Sequence, residues 1–130
     1  MTTIACNTAT APRQMMIVRI EPVKTLYARG DTVILTLRNV GSAGAAFSVC
    51  GSKLQRLSYG RWIDVDTPER PCTLSIQSLP IGATADGTAG VLPLDLGAGT
   101  YRYEVALLRT ETMELLAESM RASAAFIVKP

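Results

Sequence analysis

No histidine occurs anywhere in the 130 residues. The commonest general base and the commonest zinc ligand are therefore both missing, and a hydrolytic triad on serine or threonine would need lysine as its base. Lys24, Lys53 and Lys129 show no recognisable serine partner spacing. The phosphate-cradling Gly-x-Gly-x-x-Gly pattern is also absent, because GAGTYR at 97–102 ends before a third glycine. Aromatic residues make up only 5% of the chain, so the expected core is aliphatic and an aromatic platform for sugars is poorly supplied. No apolar run approaches the roughly 20 residues needed to span a bilayer. Thirteen Lys and Arg against eleven Asp and Glu leave a net charge of +2, scattered along the chain. The basic stripe of a nucleic-acid footprint is not there. The expectations are no enzyme, no cofactor, no nucleic-acid partner and no transmembrane segment.

What is present is enough apolar material, 48% of residues, to bury one core in a single domain of this length. Residues 1–14 are small, polar and without periodicity, and read as a leader or linker; residues 15–130 read as the domain. Strand-like alternation begins with Met16, Val18 and Ile20 and is clearest in TVILTLRNV, where Val33, Leu35 and Leu37 share one side. GSAG at 41–44 ends that strand. AAFSVC and KLQRLS form two short strands or one strand interrupted at Gly51. Tyr59-Gly60 makes a tight turn into the return arm RWIDV. CTLSIQSL places Cys72, Leu74 and Ile76 on one face, and TAGVLPLDL is the next expected strand. TYRYEVALLR puts Tyr101, Tyr103, Val105 and Leu107 on one side, and RASAAFIVK closes the chain. TETMELLAESMR at 110–121 holds helix formers, yet strands flank it closely, so it reads as a hairpin connection with at most one helical turn. Strands about 8–12 residues apart with Gly/Pro turns between them predict an all-β sandwich of about seven to eight strands.

Three cysteines remain. Cys50 and Cys72 are 22 positions apart, each beside an apparent strand. Either they form a disulfide, which implies an oxidising compartment, or they are two buried free thiols. Cys6 is left over. Alanine stands before it in TTIAC, as in the cleavage box of bacterial lipoproteins, but neither a basic start nor an apolar core precedes it. Cys6 is thus a lipidation site in a chain whose true start lies upstream of Met1, an ordinary cysteine, or the site of an intermolecular disulfide.

In order, LYARGDTVILTLRN, FSVCGSKLQRLSYGRWIDV, RPCTLSIQSLPIGA, LGAGTYRYEVALL and a closing AAFIV resemble a family of bacterial immunoglobulin-like domains found in secreted proteins and lipoproteins. The resemblance covers about residues 16–128. It implies an immunoglobulin-like antiparallel sandwich with one disulfide, a non-catalytic module with no active site to transfer, and an address outside the cytoplasm. The family often carries proline where this chain has Arg29, so the Arg29 side chain is expected to be unconstrained and to face solvent.

Other motifs have two readings each. Arg29-Gly30-Asp31 is an adhesion tripeptide or, as favoured here, a turn in which Gly30 takes positive φ and Asp31 bonds nearby backbone. Asp64, Asp66 and Glu69 are part of a calcium site, which wants six to eight oxygens, or, preferentially, beside Arg61 and Arg70, a solvated edge. Trp62 is a ligand platform or, preferentially, a hairpin packing residue. Tyr101 stands where sandwiches place a corner tyrosine. The resulting expectation is a non-enzymatic extracytoplasmic structural or interaction module with a protein partner, including self-assembly. In its sharpest form it is a subunit of a surface filament or layer whose leader contacts a neighbour, anchored to a membrane only if Cys6 is lipidated. The alternative is a carbohydrate- or calcium-binding accessory module of the cell envelope.

Overall fold

The computed structural model describes residues 15–68 and 75–130. It is all-β, without an α-helix among the described residues. The strands are β1 (Val18–Pro22), β2 (Leu26–Tyr27), β3 (Thr32–Asn39), β4 (Ala45–Ser58), β5 (Arg61–Asp64), β6 (Gln77–Leu79), β7 (Thr84–Val91), β8 (Gly99–Arg109) and β9 (Phe126–Val128). One sheet has the order β1-β3-β7. The other has the order β2-β9-β8-β4-β5, with β6 also paired to β4. All pairs are antiparallel except β2 with β9.

The alternation read from the sequence is what joins the sheets. Val33, Leu35 and Leu37 of β3 and Tyr101, Val105 and Leu107 of β8 are completely buried in one shared core. Each such side chain stabilises the fold by about 1.5–3 kcal/mol relative to exposure. The core is less aliphatic than expected: both phenylalanines and three of the four tyrosines lie in it. Phe126 is its hub, with ring centroids 5.1 Å from Tyr27, 5.8 Å from Tyr103 and 6.3 Å from Tyr101. The scarce aromatics supply the bulk that fills the space between the layers.

Of the two courses expected for 45–58, the structure takes the single interrupted strand, kinked where Gly51 takes φ 81 and the pairing with β8 shifts register between Ser48 and Lys53. Three boundaries differ from expectation. β7 starts at Thr84 and ends at Val91, whereas TAGVLPLDL had placed it over 88–96. Pro93 has no N–H to give a ladder, and Leu92–Leu96 instead forms a turn closed by Leu96 N–H on the Pro93 carbonyl at 3.2 Å. Of the described part of CTLSIQSL, residues 75–79, Gln77–Leu79 is strand and Ile76 is exposed; Cys72 and Leu74 lie outside the described residues. The last strand is confined to Phe126–Val128. Ahead of it, residues 115–123 accompany β8 irregularly, through Leu116 N–H on Leu107 O (2.9 Å), Val105 N–H on Arg121 O (2.9 Å) and Ser123 N–H on Tyr103 O (2.8 Å). A single 3-10 turn, Glu118–Met120, interrupts them.

Candidate functional site

Because Tyr101, Tyr103 and Val105 point inward, Arg102 and Glu104 must point to the outer face of the six-stranded sheet. Register places Gln55 beside Arg102 on one side and beside Asp64 on the other, and Leu57 beside Trp62. The result is a chain of polar contacts across three strands, β5, β4 and β8, and the irregular segment that carries Arg121. Arg121 pairs with Glu104 at 3.2 Å, both about nine-tenths buried. The Arg121 Nε also donates to Leu116 O at 2.8 Å, which ties the irregular segment to β8. Gln55 Nε2 donates to Glu104 at 3.2 Å and to Asp64 at 3.0 Å, while its Oε1 accepts from Arg102 Nε at 2.8 Å. Oriented in this way, the Arg102 guanidinium lies 4.4 Å from the Trp62 ring centroid. A cation over indole is the favoured geometry of this contact.

Trp62 is half-buried on β5, opposite Leu57 of β4 across the hairpin. At the hairpin tip, Tyr59 (φ 50) and Gly60 form the expected tight turn, and the Tyr59 side chain is fully exposed. Asp64 is engaged by Gln55, Asp66 lies in the loop after β5, and Glu69 falls outside the described residues. No metal-holding cluster occurs among the described residues. Between the sheet edges a cleft of about 1060 Å³ has Leu54 and Tyr103 at its floor, with Lys53, Asp64 and Asp66 along its lining.

The Arg29-Gly30-Asp31 turn sits at the far end of the three-stranded sheet. Gly30 has φ 83, Asp31 accepts the Ala28 N–H at 2.8 Å, and Gly30 N–H bonds Leu92 O at 2.9 Å. Arg29 is not unconstrained as expected: its Nε donates to the Leu96 carbonyl, so the arginine clips the turn to the 92–96 loop. Tyr101 donates its hydroxyl to the Gly97 carbonyl, bonding backbone four residues upstream. Cys50 is half-buried on β4 and its sulfur is not a free thiol. Cys6 and Cys72, and with them the leader 1–14, lie outside the described residues. Sequence reasoning missed Arg102, Gln55, Glu104 and Arg121. The available signal was two charges, Arg102 and Glu104, alternating with inward-facing aromatics in TYRYEVALLR.

No protein-family model and no curated protein matches the chain. Among solved structures, a distant neighbour is Pseudomonas fluorescens alkylpurine DNA glycosylase AlkC bound to DNA containing an abasic site analog, at 12% identity and a TM-score of 0.43. The alignment covers 88% of this chain and 30% of that one, so the chain spans less than a third of its neighbour.

Proposed function

We propose that the protein is a non-enzymatic, extracytoplasmic immunoglobulin-like module that works by presenting the outer face of its six-stranded sheet to a protein partner, as a subunit of a surface assembly. The single observation that carries this is the Arg102–Trp62 stack. Tryptophan, tyrosine and arginine dominate binding hot spots, and the stack is fixed from below by Gln55, Glu104 and Arg121, so little ordering remains to be done on binding. The immunoglobulin-like assignment is supported by the course of the first two strands. β1 joins one sheet, and β2 crosses to the other to run parallel to the last strand. The Tyr101–Gly97 bond supports it as well, being the corner tyrosine of such sandwiches. A bonded Cys50 fits an oxidising compartment.

A photo-crosslinking amino acid at position 62 in the producing cell tests this, with the same probe at Thr36 on the outer face of the three-stranded sheet as comparison. The expected result is a discrete protein adduct from position 62 only, recovered outside the cytoplasm and lost on Arg102→Ala. Equal adducts from both faces, or adducts found only in the cytoplasm, reject the proposal.

A further inference from the structure

β5 is an edge strand of the six-stranded sheet, and natural edges are normally blunted by proline, lysine, glycine bulges or shortness. Among the other edges, β1 ends in Pro22, β2 has two residues, and β7 carries Gly87, Gly90 and an outward Asp86. β5 lacks proline, lysine and glycine, and between its charged ends, Arg61 and Asp64, it presents Trp62 and an Ile63 that is 52% exposed.

Its open backbone groups can be assigned. Val65 N–H bonds Leu54 O at 2.8 Å, and in an antiparallel pair hydrogen-bonded positions alternate. Arg61, Ile63 and Val65 therefore spend their backbone groups on β4, while those of Trp62 and Asp64 turn outward. We propose that β5 pairs antiparallel with β5 of a second copy of this chain, with Ile63 on the two-fold axis. That register sets Trp62 opposite Asp64 of the partner subunit, and Asp64 opposite the partner's Trp62. Both are outward-pointing positions, so all four free N–H and C=O groups on each strand find a partner. Directly opposite residues share a face, so Asp64 of the partner subunit arrives beside the Arg102 guanidinium stacked on Trp62. By symmetry the same contact forms twice. The two exposed isoleucines meet at the axis. The alternative register, with Trp62 on the axis, pairs only the tryptophan backbones and sets Asp64 against the turn at Gly60. Backbone valence, apolar contact and charge complementarity thus select one register and one occupant.

The contact is short, and interfaces below about 1,200 Å² are weak, so association is expected at protein concentrations on the order of 100 µM and above. The inference rests on the same Arg102–Trp62 stack as the proposed function but fails separately from it. In sedimentation velocity, wild type shifts from monomer to dimer with concentration, and Ile63→Lys, which sets two like charges at the axis, remains monomeric at tenfold higher concentration with an unchanged melting temperature. In a Cys6→Ser background, oxidation of Ile63→Cys joins two chains at least tenfold more than Arg61→Cys does. A wild type that stays monomeric to about 1 mM, a dimer indifferent to Ile63→Lys, or equal crosslinking from both positions overturns it. A foreign-protein adduct at position 62 from a chain that stays monomeric overturns the dimer while keeping the partner-binding function.

Discussion

At position 30 the backbone takes φ 83, and a Cβ built there would stand 3.0 Å from the Leu94 side chain. Both facts penalise any other residue: the left-handed conformation costs an L-residue roughly 1–2 kcal/mol, and Leu94 must also give way. Gly30→Ala is expected to lower the unfolding free energy by about 1–2 kcal/mol, read from the urea midpoint. Asp31→Ala should cost about the same, because its carboxylate holds the Ala28 N–H at 2.8 Å and bonds to charged acceptors are worth about 1.5–3 kcal/mol. The tripeptide therefore answers to the fold. A variant Asp31→Glu that lost cell binding while keeping full stability would restore the adhesion interpretation. Arg29 belongs to the same turn, since it anchors the Leu96 carbonyl.

At the scale of elements, β8 is held on its outer side by one buried ion pair to a segment with little regular structure. Replacing Arg121 alone leaves Glu104 buried with only Gln55 as partner, the situation in which breaking a buried pair costs about 3–5 kcal/mol. Arg121→Met should therefore destabilise strongly, while Glu104→Leu combined with Arg121→Met should recover more than half of that loss in the same denaturation experiment. A double variant as unstable as the single one would show that packing of residues 115–123, not charge, is what Arg121 supplies. Beyond the outward alternation of Arg102 and Glu104, this network was not legible in the sequence, because it joins positions 55, 64, 102, 104 and 121 through register and through the 3-10 turn that brings Arg121 back to Leu116. The strands β3 and β8 were legible because in–out alternation is local: Val33, Leu35 and Leu37, and Tyr101, Tyr103 and Val105, declare their side two residues at a time. β7 was misplaced for the opposite reason. Its residues are small to suit a distant neighbour, with a Cβ at Gly87 landing 2.2 Å from Val49 of β4, so the apolar Leu92, Leu94 and Leu96 just beyond it looked more strand-like than the strand.

For the molecule as a whole, β4 is the element both halves of the large sheet depend on. Its first residues, Ala45–Phe47, pair with β6, and its last, Gln55–Ser58, pair with β5 on that same edge. Cys50 lies in the interval between them, beside the Gly51 kink. Cys72 lies in the sequence between β5 and β6, the two strands that flank this interval, and it is the proposed partner of Cys50. Such a bridge closes a loop across 22 positions (72 − 50) that contains β5 and its hairpin. In the chain-entropy account a loop of this size contributes about 3 kcal/mol, a large share of the roughly 5–15 kcal/mol that holds a domain folded. Cys50→Ser and Cys72→Ser should each lower the unfolding free energy from urea denaturation by that amount, the double variant should lose no more than either single one, and dithiothreitol should have no further effect on any of the three. Cys6→Ser should leave the midpoint unchanged. If Cys6→Ser carried the loss and Cys72→Ser did not, the bridge would run to the leader instead of to Cys72. The free edge at β5 would then lose the covalent brace behind it, so dimer formation measured with and without reductant separates the two connectivities a second time.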